Sequence, residues 1–459
     1  MKLPHARRGD DESPQFESGV VGVRLRGWVL VLVAVALAAV TSFGYLGGFL
    51  APDADVSGLP ILIVNLDRGA QLGSSSLQFG DQVIDQLGAP SPALGDTVSW
   101  QVATNREEAL IRVRQDRAYA ALIIPADFST RLAAIATAGA SEPATIEVLT
   151  NPASGSYSGA YSQAIATAAV DQVSRQSTRQ LATTLEGLGV KLSPAAAVTV
   201  GRPVEATVTV AHPIGQRGGR GLAPFYFAVV VVVAALFATS ALNVAVDVAA
   251  GHQRLSVLGR KVRFGTLAGK RDARGSLRAK LALAGPVAAA VGVTVTAVAL
   301  WPLDMNVVRP WPLASFAVLG AAAMAAVTLA FYTAFDLAGS VLAALFLVIY
   351  GVPSSGGVYP VEALPGFFRF LHAWLPLRYL TDGVRSLTFG GGPPGAVGRA
   401  VAVLAVYALT GTGAAIAAAS YTARRQAVGA PQISEFAVGS RDASAGLLPD
   451  ASASAQTKG

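Results

Sequence analysis

Few residues in this chain could do chemistry, and their spacing argues against most of it. The four histidines, His5, His212, His252 and His372, lie in different segments, with no H-E-x-x-H pattern and no ligand-like interval. A bound metal or histidine-based catalysis therefore has no support. Ser158 stands in GSYSG, which lacks the G-x-S-x-G spacing of a nucleophile on a strained strand-to-helix turn, and reads instead as a loose start to a helix. The stretch GTLAGKRD at 265–272 imitates a phosphate-cradling loop, but it is one residue short and has Arg271 where the magnesium-binding hydroxyl belongs. Asp247 and Asp336 fall at the ends of apolar runs, where they read as solvated caps rather than a proton relay. Cysteine is absent, which removes disulfides and thiol chemistry. The expectation is a chain that is not an enzyme and holds no cofactor of its own.

The elements that must position such residues are those of a membrane protein. The chain is 52% hydrophobic and only 14% charged, where soluble domains carry about 25% charged residues. A bilayer core about 30 Å thick needs roughly 20 apolar residues of helix. Uncharged windows of that length occur at 28–50, 223–246, 281–303, 312–335 and 400–420, and a shorter run at 337–353 makes a sixth. The predicted fold class is an α-helical polytopic membrane protein with six transmembrane helices and an inserted α/β domain. The first run is longer than a signal-peptide core and has no convincing cleavage motif after it, so it reads as an uncleaved anchor. Within it, Gly44 and Gly48 have the G-x-x-x-G spacing that lets a second helix approach closely.

Charge sets the expected orientation. Between Asp247 and Lys280 lie Arg254, Arg260, Lys261, Arg263, Lys270, Arg271, Arg274, Arg278 and Lys280. Without stacking aromatics this is a topology signal and not a nucleic-acid patch. It places the 247–280 loop, residues 1–27 and the tail 423–459 in the cytoplasm of a plasma-membrane protein, with 51–222 outside. The tail, rich in Ala, Ser and Gly, reads as disordered. Residues 15–26, with Phe16, Val20 and Val23 beside Arg24 and Arg26, read as a separate helix on the inner membrane surface.

Residues 51–222 alternate between strand-like and helix-like runs. Strands are expected at 61–64, 97–102, 118–124 and 145–149, helices at 75–88, 105–116 and 126–138, then a long helix over 156–188 and a last strand over 204–211. Near the other end, PSSGGVYPVEALPGFF at 353–368 breaks the short fifth span. Irregular backbone at membrane depth must be buried in protein or line a cavity, so residues 354–390 are expected to form re-entrant helices at the outer mouth. One should be amphipathic, with Phe367, Phe368, Phe370, Leu371, Trp374 and Leu375. A second should begin at Leu377, with Arg378 one turn before Asp382.

Two regions resemble a known family. ILIVNLDRGA at 61–70, YAALIIPADFSTRL at 119–132 and EVLTNPASGSYS at 147–158 are similar to the extracytoplasmic domain of the phage-infection-protein family. The residues carrying the likeness are Asn65, Asp67, Gly69, Pro125, Asp127, Phe128 and Asn151. The segment 354–387 resembles the ending shared with type-2 ABC exporter permeases, through Ser355, Gly356, Gly357, Pro360, Pro365, Pro376, Tyr379, Gly383 and Arg385.

The resemblance implies a permease subunit, homodimeric or paired with a related permease, that exports an apolar or amphipathic solute. ATP would bind a separate ATP-binding cassette subunit. In such exporters the first cytoplasmic loop touches the ATPase, which makes a short helix within 251–264, carrying Arg254, Arg260, Lys261 and Arg263, the expected coupling element. Family members often place an acid in that loop's first turn, and this chain has none. The alternative class is a non-transporting interaction protein, a secretion-machine accessory or phage receptor, that docks partners through the α/β domain. The segment 354–390 would then be an anchor and not a gate.

Overall fold

The computed structural model describes residues 17–48, 56–72, 75–89, 97–137, 142–188, 194–250, 256–257, 260–261 and 273–428. The tail and the residues of the coupling loop at 251–255, 258–259 and 262–272, with Arg254 and Arg263, lie outside them.

A five-stranded mixed sheet forms the α/β domain. Its strands are β1 (Leu59–Asn65), β4 (Val98–Val102), β5 (Ala120–Ile124), β6 (Ala144–Thr150) and β7 (Val204–Val210), in the order β4-β1-β5-β6-β7. β1 runs parallel to β4 and β5, β6 antiparallel to β5 and parallel to β7. Successive side chains of a strand point to opposite faces, and here each face has its own core. Ile61, Ile63, Leu122, Ile124, Ile146 and Val148 point to one side, beneath α2 (Phe79–Gly88), α4 (Phe128–Thr137) and α5 (Ser156–Leu188). Leu62, Val64, Ala121, Ile123 and Leu149 point to the other, beneath α3 (Arg106–Arg114). Burial on both faces explains why ILIV and ALII read as unbroken apolar runs instead of alternating. Two elements differ from expectation: a hairpin of β2 (Ala70–Leu72) and β3 (Ser75–Leu77) occupies the start of the expected helix at 75–88, and α6 (Pro194–Gly201) precedes β7.

Among the described residues, five helical segments are long and apolar enough to cross a membrane. They are α7 (Ala223–Ala249), α8 (Ala273–Leu300), α9 (Pro310–Phe335), the segment Leu337–Ser354, and α14 (Ala396–Val428). The chain's first helix, α1 (Glu17–Leu46), carries a shorter apolar stretch, Val31–Leu46. It is one unbroken helix from Glu17, so the separate surface helix expected at 15–26 is not found where the chain is described. Helix α9 packs against α7, α8 and α14. Glycine makes the closest of these contacts. A Cβ on Gly292 of α8 would lie 2.5 Å from the backbone of Val318, and one on Gly411 of α14 would lie 2.8 Å from that of Ala326. Such backbone-to-backbone packing gains dispersion energy that bulkier residues would forbid in lipid.

Asp336, exposed and at φ 52°, turns the chain between α9 and α10 (Leu337–Ala344). The span then passes through a π-helical turn at Leu345–Ile349 into α11 (Gly351–Ser354) and stays helical through Pro353, so the interruption expected at 353 comes just after Ser354, where Gly356 turns at φ 69°. The G-x-x-x-G pair, Gly44 in α1 and Gly48 just past its end, faces the end of this span: a Cβ on Gly44 would lie 2.9 Å from the Tyr350 ring, and one on Gly48 2.4 Å from Pro353. Beyond it come α12 (Gly366–Trp374) and α13 (Pro376–Phe389). Where the loop after α7 is described, Ser256–Val257 (β8) pairs antiparallel with Arg260–Lys261 (β9). Arg260 and Lys261 are therefore on a strand of a small hairpin, not on the expected coupling helix. Asp247 is also not a solvated cap: its Oδ1 lies 2.7 Å from Lys280 Nζ and accepts from Ser276 Oγ at 3.1 Å, with both charged side chains mostly buried.

Candidate functional site: a buried polar joint

The segment between α11 and α13 does not simply lie on the membrane; part of it enters the core of the α/β domain. Ala363 is buried in that core with Tyr359 packed beside it, and the Tyr359 ring meets Tyr157 of α5 edge-on at 4.4 Å. Around this insertion the two halves of the chain are joined by polar contacts from residues far apart in sequence. Tyr119, just before β5, donates its hydroxyl hydrogen to Glu362 Oε2 at 2.8 Å. The Gly392 N–H donates to Arg114 O at 2.9 Å, while Arg114 Nε donates to Ala211 O at 2.7 Å. His212 Nε2 contacts the carbonyl of Phe389, at the end of α13.

The centre of the joint is charged. Asp116 follows α3 in a left-handed conformation, φ 53°. Asn151, at the end of β6, donates through Nδ2 both to Val113 O and to Asp116 Oδ1, each at 3.0 Å. Its Oδ1 accepts from Ala153 N at 3.1 Å, fixing the turn Pro152–Ser154. That turn needs two glycines at positive φ. Gly155 at φ 124° passes close to the Gly357 carbonyl, and at Gly221, φ 90°, a Cβ would lie 2.1 Å from Pro152 O. From α13, Arg385 is buried and lies 3.9 Å from Asp382, which also approaches Arg378 at 3.7 Å. The Asp116 carboxyl is pushed up to about 6, first by burial. The nearby Asp382 charge adds to the shift, while Arg385 and the Asn151 hydrogen bond oppose it. Tyr119 is held well above the ordinary phenol range by burial and then by the Glu362 carboxylate.

The residues singled out from the C-terminal resemblance fall into this region, most of them as shapers of the chain. Ser355 Oγ donates to Val352 O at 2.8 Å and accepts from Gly357 N at 3.2 Å. Gly356 turns at φ 69°. Cβ atoms on Gly357 and Gly383 would each sit 2.2 Å from a phenylalanine ring, that of Phe225 and that of Phe316. Pro360 precedes the short turn Val361–Ala363, Pro365 precedes α12, and Pro376 begins α13, the position where proline loses no hydrogen bond. Tyr379 donates to Ala373 O at 2.8 Å, its ring beneath the Arg378 guanidinium. Arg385 alone among them reaches the charged centre.

The residues of the other motif part company. Asn151 is in the joint, but Asn65, Asp67, Gly69, Pro125, Asp127 and Phe128 lie at the opposite ends of β1 and β5, roughly 15 Å away at about 3.3 Å per strand residue. There Asp67 accepts from Gly80 N at 3.1 Å, from Ser129 N at 3.0 Å and from Ser129 Oγ. Asn65 Oδ1 accepts from Asp67 N at 3.0 Å, and its Nδ2 donates to Asp81 Oδ1 at 2.8 Å. Phe128 is fully buried, Asp127 pairs with Arg131 at 2.7 Å, and Gly69 turns at φ 75°. This knot ties the starts of α2 and α4 to β1 and is structural. Asp116, Tyr119, Glu362 and His212 were not foreseen as site residues; Asp116 sits in a polar stretch, RVRQDRAY, with no motif to mark it.

A further feature lies between α7 and α8: an apolar groove of about 440 Å³ lined by Tyr226, Val230, Val295, Val298 and Leu303, with Arg217 at its edge. Arg217 pairs with Asp304 at 3.2 Å. Among the described residues no cluster of acidic or histidine side chains could hold a metal ion.

The family model matching residues 29–413 is described as a protein of unknown function (DUF3533). A stretch of 97 residues, 21% of this chain, is 29% identical to the uncharacterized protein YhgE of Bacillus subtilis (strain 168), in line with the resemblance read from the sequence. The match spans 12% of that protein's length. Among solved structures, the chain shows a likeness to a domain described as belonging to an ABC type-2 transporter of Thermotoga maritima MSB8. It is 21% identical and covers 33% of this chain and 84% of the other, at a TM-score of 0.22 that carries no argument about fold or function.

Proposed function

We propose, for a chain that belongs to the protein family of unknown function DUF3533, the role of membrane permease in an exporter of type-2 ABC kind. It is a multi-pass membrane protein, with five helices among the described residues long and apolar enough to cross a bilayer. In this reading α1 is a sixth span and both chain ends are cytoplasmic. The α/β domain is extracytoplasmic, and a separate ATP-binding cassette subunit supplies the energy to a dimer.

One observation carries the reading more than any other. The segment that follows the fifth span is built into the core of the α/β domain through Ala363 and Tyr359, and is tied to it by the Tyr119–Glu362 hydrogen bond and, just past α13, by the one from Gly392 N–H to Arg114 O. A shift of α11 to α13 against the spans therefore has to move the domain with it. The helices α12 and α13 act as a gate whose position the domain reports or sets. The groove between α7 and α8, apolar apart from Arg217, suits an apolar or amphipathic solute. The basic residues Arg274, Arg278, Arg424 and Arg425 at the α8 start and α14 end support the cytoplasmic assignment of that face.

The docking alternative has its own observation. Val208 and Val210 of edge strand β7 and Val198 of α6 are exposed, the last at 78%. Such apolar surface suits a partner protein.

Absence of cysteine makes the test clean. Single cysteines at Gly88, which has open space around it, and at Ala427 would be labelled with an impermeant maleimide in intact cells. Labelling at 88 but not at 427 is expected. A cysteine pair joining Gly320 of α9 to Leu380 of α13, where a Cβ on Gly320 would lie 2.6 Å from the Leu380 side chain, pins the gate to a span and should then block efflux of a lipophilic dye when oxidised and restore it on reduction. Unchanged efflux in the cross-linked protein would reject the gate and leave the docking role.

A further inference from the structure

Two arginines of α8, Arg274 and Arg278, stand one helical turn apart, and neither pairs with a carboxylate among the described residues. Lys280, two residues on, has its own acid in Asp247 at 2.7 Å. Between residues 248 and 280 the chain offers a single carboxylate, Asp272, to the whole basic cluster. Both arginines line a groove of about 340 Å³ between α8 and α14, completed by Leu277, Leu281, Ile416 and Ser420. The lining is ordered by depth. Arg274 and Arg278 sit at the α8 start, and Leu281 lies about 10 Å deeper than Arg274 at 1.5 Å per residue. On α14, which ends at the same face, Ile416 lies about one turn deeper than Ser420 and is 49% exposed. Arg425, stacked on Tyr421 at 4.9 Å, brings a third cation to that end of the bundle.

A pair of cations at the membrane surface above an apolar channel facing the bilayer matches one kind of molecule. We propose that this groove binds an anionic phospholipid, its phosphate bridged by the Arg274 and Arg278 guanidinia and one acyl chain lying along Leu281 and Ile416. Guanidinium forks pair with phosphate oxygens in two-point geometry, and basic pockets between spans at the membrane surface recognise anionic headgroups. A zwitterionic lipid would bring a compensating cation against the arginines. A protein partner would leave the outward-facing Ile416 wall unexplained. This inference does not depend on the exporter reading.

The test is native mass spectrometry of the full-length chain released from detergent, titrated with dioleoylphosphatidylglycerol and, in parallel, dioleoylphosphatidylcholine. Saturable binding of about one phosphatidylglycerol per chain, weakened by salt, is expected, with phosphatidylcholine bound only diffusely. R274Q/R278Q should weaken phosphatidylglycerol binding about 30-fold, from roughly a fivefold step per lost surface cation. R274K/R278K should retain most of it, and I416W, which fills the channel and keeps the charge, should weaken it as well. Thermal melting of each variant separates lost binding from lost folding. Equal binding of both lipids, full binding by folded R274Q/R278Q, or equal affinity for glycerol 3-phosphate alone would overturn the proposal. So would loss of a co-purifying ATPase in R274Q/R278Q with lipid binding intact, which would reassign the arginines to a protein contact.

Discussion

The two ends of the α/β sheet each hold an aspartate in a polar network, and the two are built to opposite purposes. At one end Asp67 is ringed by three donors from its own domain, two backbone N–H groups and the Ser129 hydroxyl. At the other, Asp116 has the single Asn151 donor and is pushed up to about 6 by burial, with Asp382 and Arg385 of α13 pulling its proton in opposite directions. A saturated carboxylate locks a fold because its acceptor positions are already taken by its own domain. A half-satisfied one, beside the seam between the α/β domain and α13, leaves an interface that responds.

Breaking the locked end should have the largest effect. Asp67→Ala strands the Gly80 and Ser129 donors, and losing three hydrogen bonds to a charged acceptor should cost about 3 kcal/mol or more. That lowers the thermal midpoint of the domain by about 6–12 °C; a drop of under 2 °C would show that the knot is not a lock. Next in size is Arg385→Met, which leaves Asp382 and Asp116 facing each other in a buried site. It should loosen the joint by about 3 kcal/mol at pH 7.5, seen as faster amide exchange of Ala153 and Ser154, while the Asp67 end keeps its protection.

The pH response is smaller and more specific. Asp116 binds its proton in the folded protein up to about pH 6, and in an unfolded chain only to its ordinary 3.8. Stability at the joint should therefore be lowest above pH 6 and rise as pH falls from 7.5 towards 4, the reverse of a salt-bridged aspartate. Protection factors at 151–155, with the intrinsic pH dependence of exchange divided out, should rise over that interval in the native chain and show no such slope in Asp116→Asn. A joint that loosens on acidification would contradict the assignment. The smallest effect belongs to Arg131→Ala, which removes an exposed one-turn pair with Asp127; about 0.3–0.5 kcal/mol is expected, measured by denaturant midpoint.

Legibility in the sequence follows the range of the interactions. The strands and helices of the α/β domain were readable within a few residues because their apolar runs and turns are local, and the long helix over 156–188 was read to its ends. The hairpin at 70–77 was not: strands of three residues leave no period to detect, and the same stretch carries the lead-in to α2. The fifth span could be seen to be interrupted, yet the π-helical turn at Leu345–Ile349 lies inside an apolar run that reads as plain helix. The coupling helix expected at 251–264 rested on resemblance, and Arg260 and Lys261 fall in a hairpin. Arg385 was found through its motif neighbours; Glu362 stood among the same neighbours without being singled out, and Asp116 had none.

By itself, then, the sequence determined that this chain enters a membrane, where its apolar windows lie, that an α/β domain is inserted between them, and that no phosphate loop or metal motif is present. Hydrophobic period and the cost of an unpaired charge in lipid are properties of a short segment, readable wherever it stands. Only the tertiary structure decided that Asn151 bonds Asp116 within the field of Arg385 and Asp382 from α13, and that Asp67, so similar on paper, sits at the far end of the same strands. The field at a carboxylate comes from what folding brings within a few ångströms of it, and no local pattern in the chain carries that information.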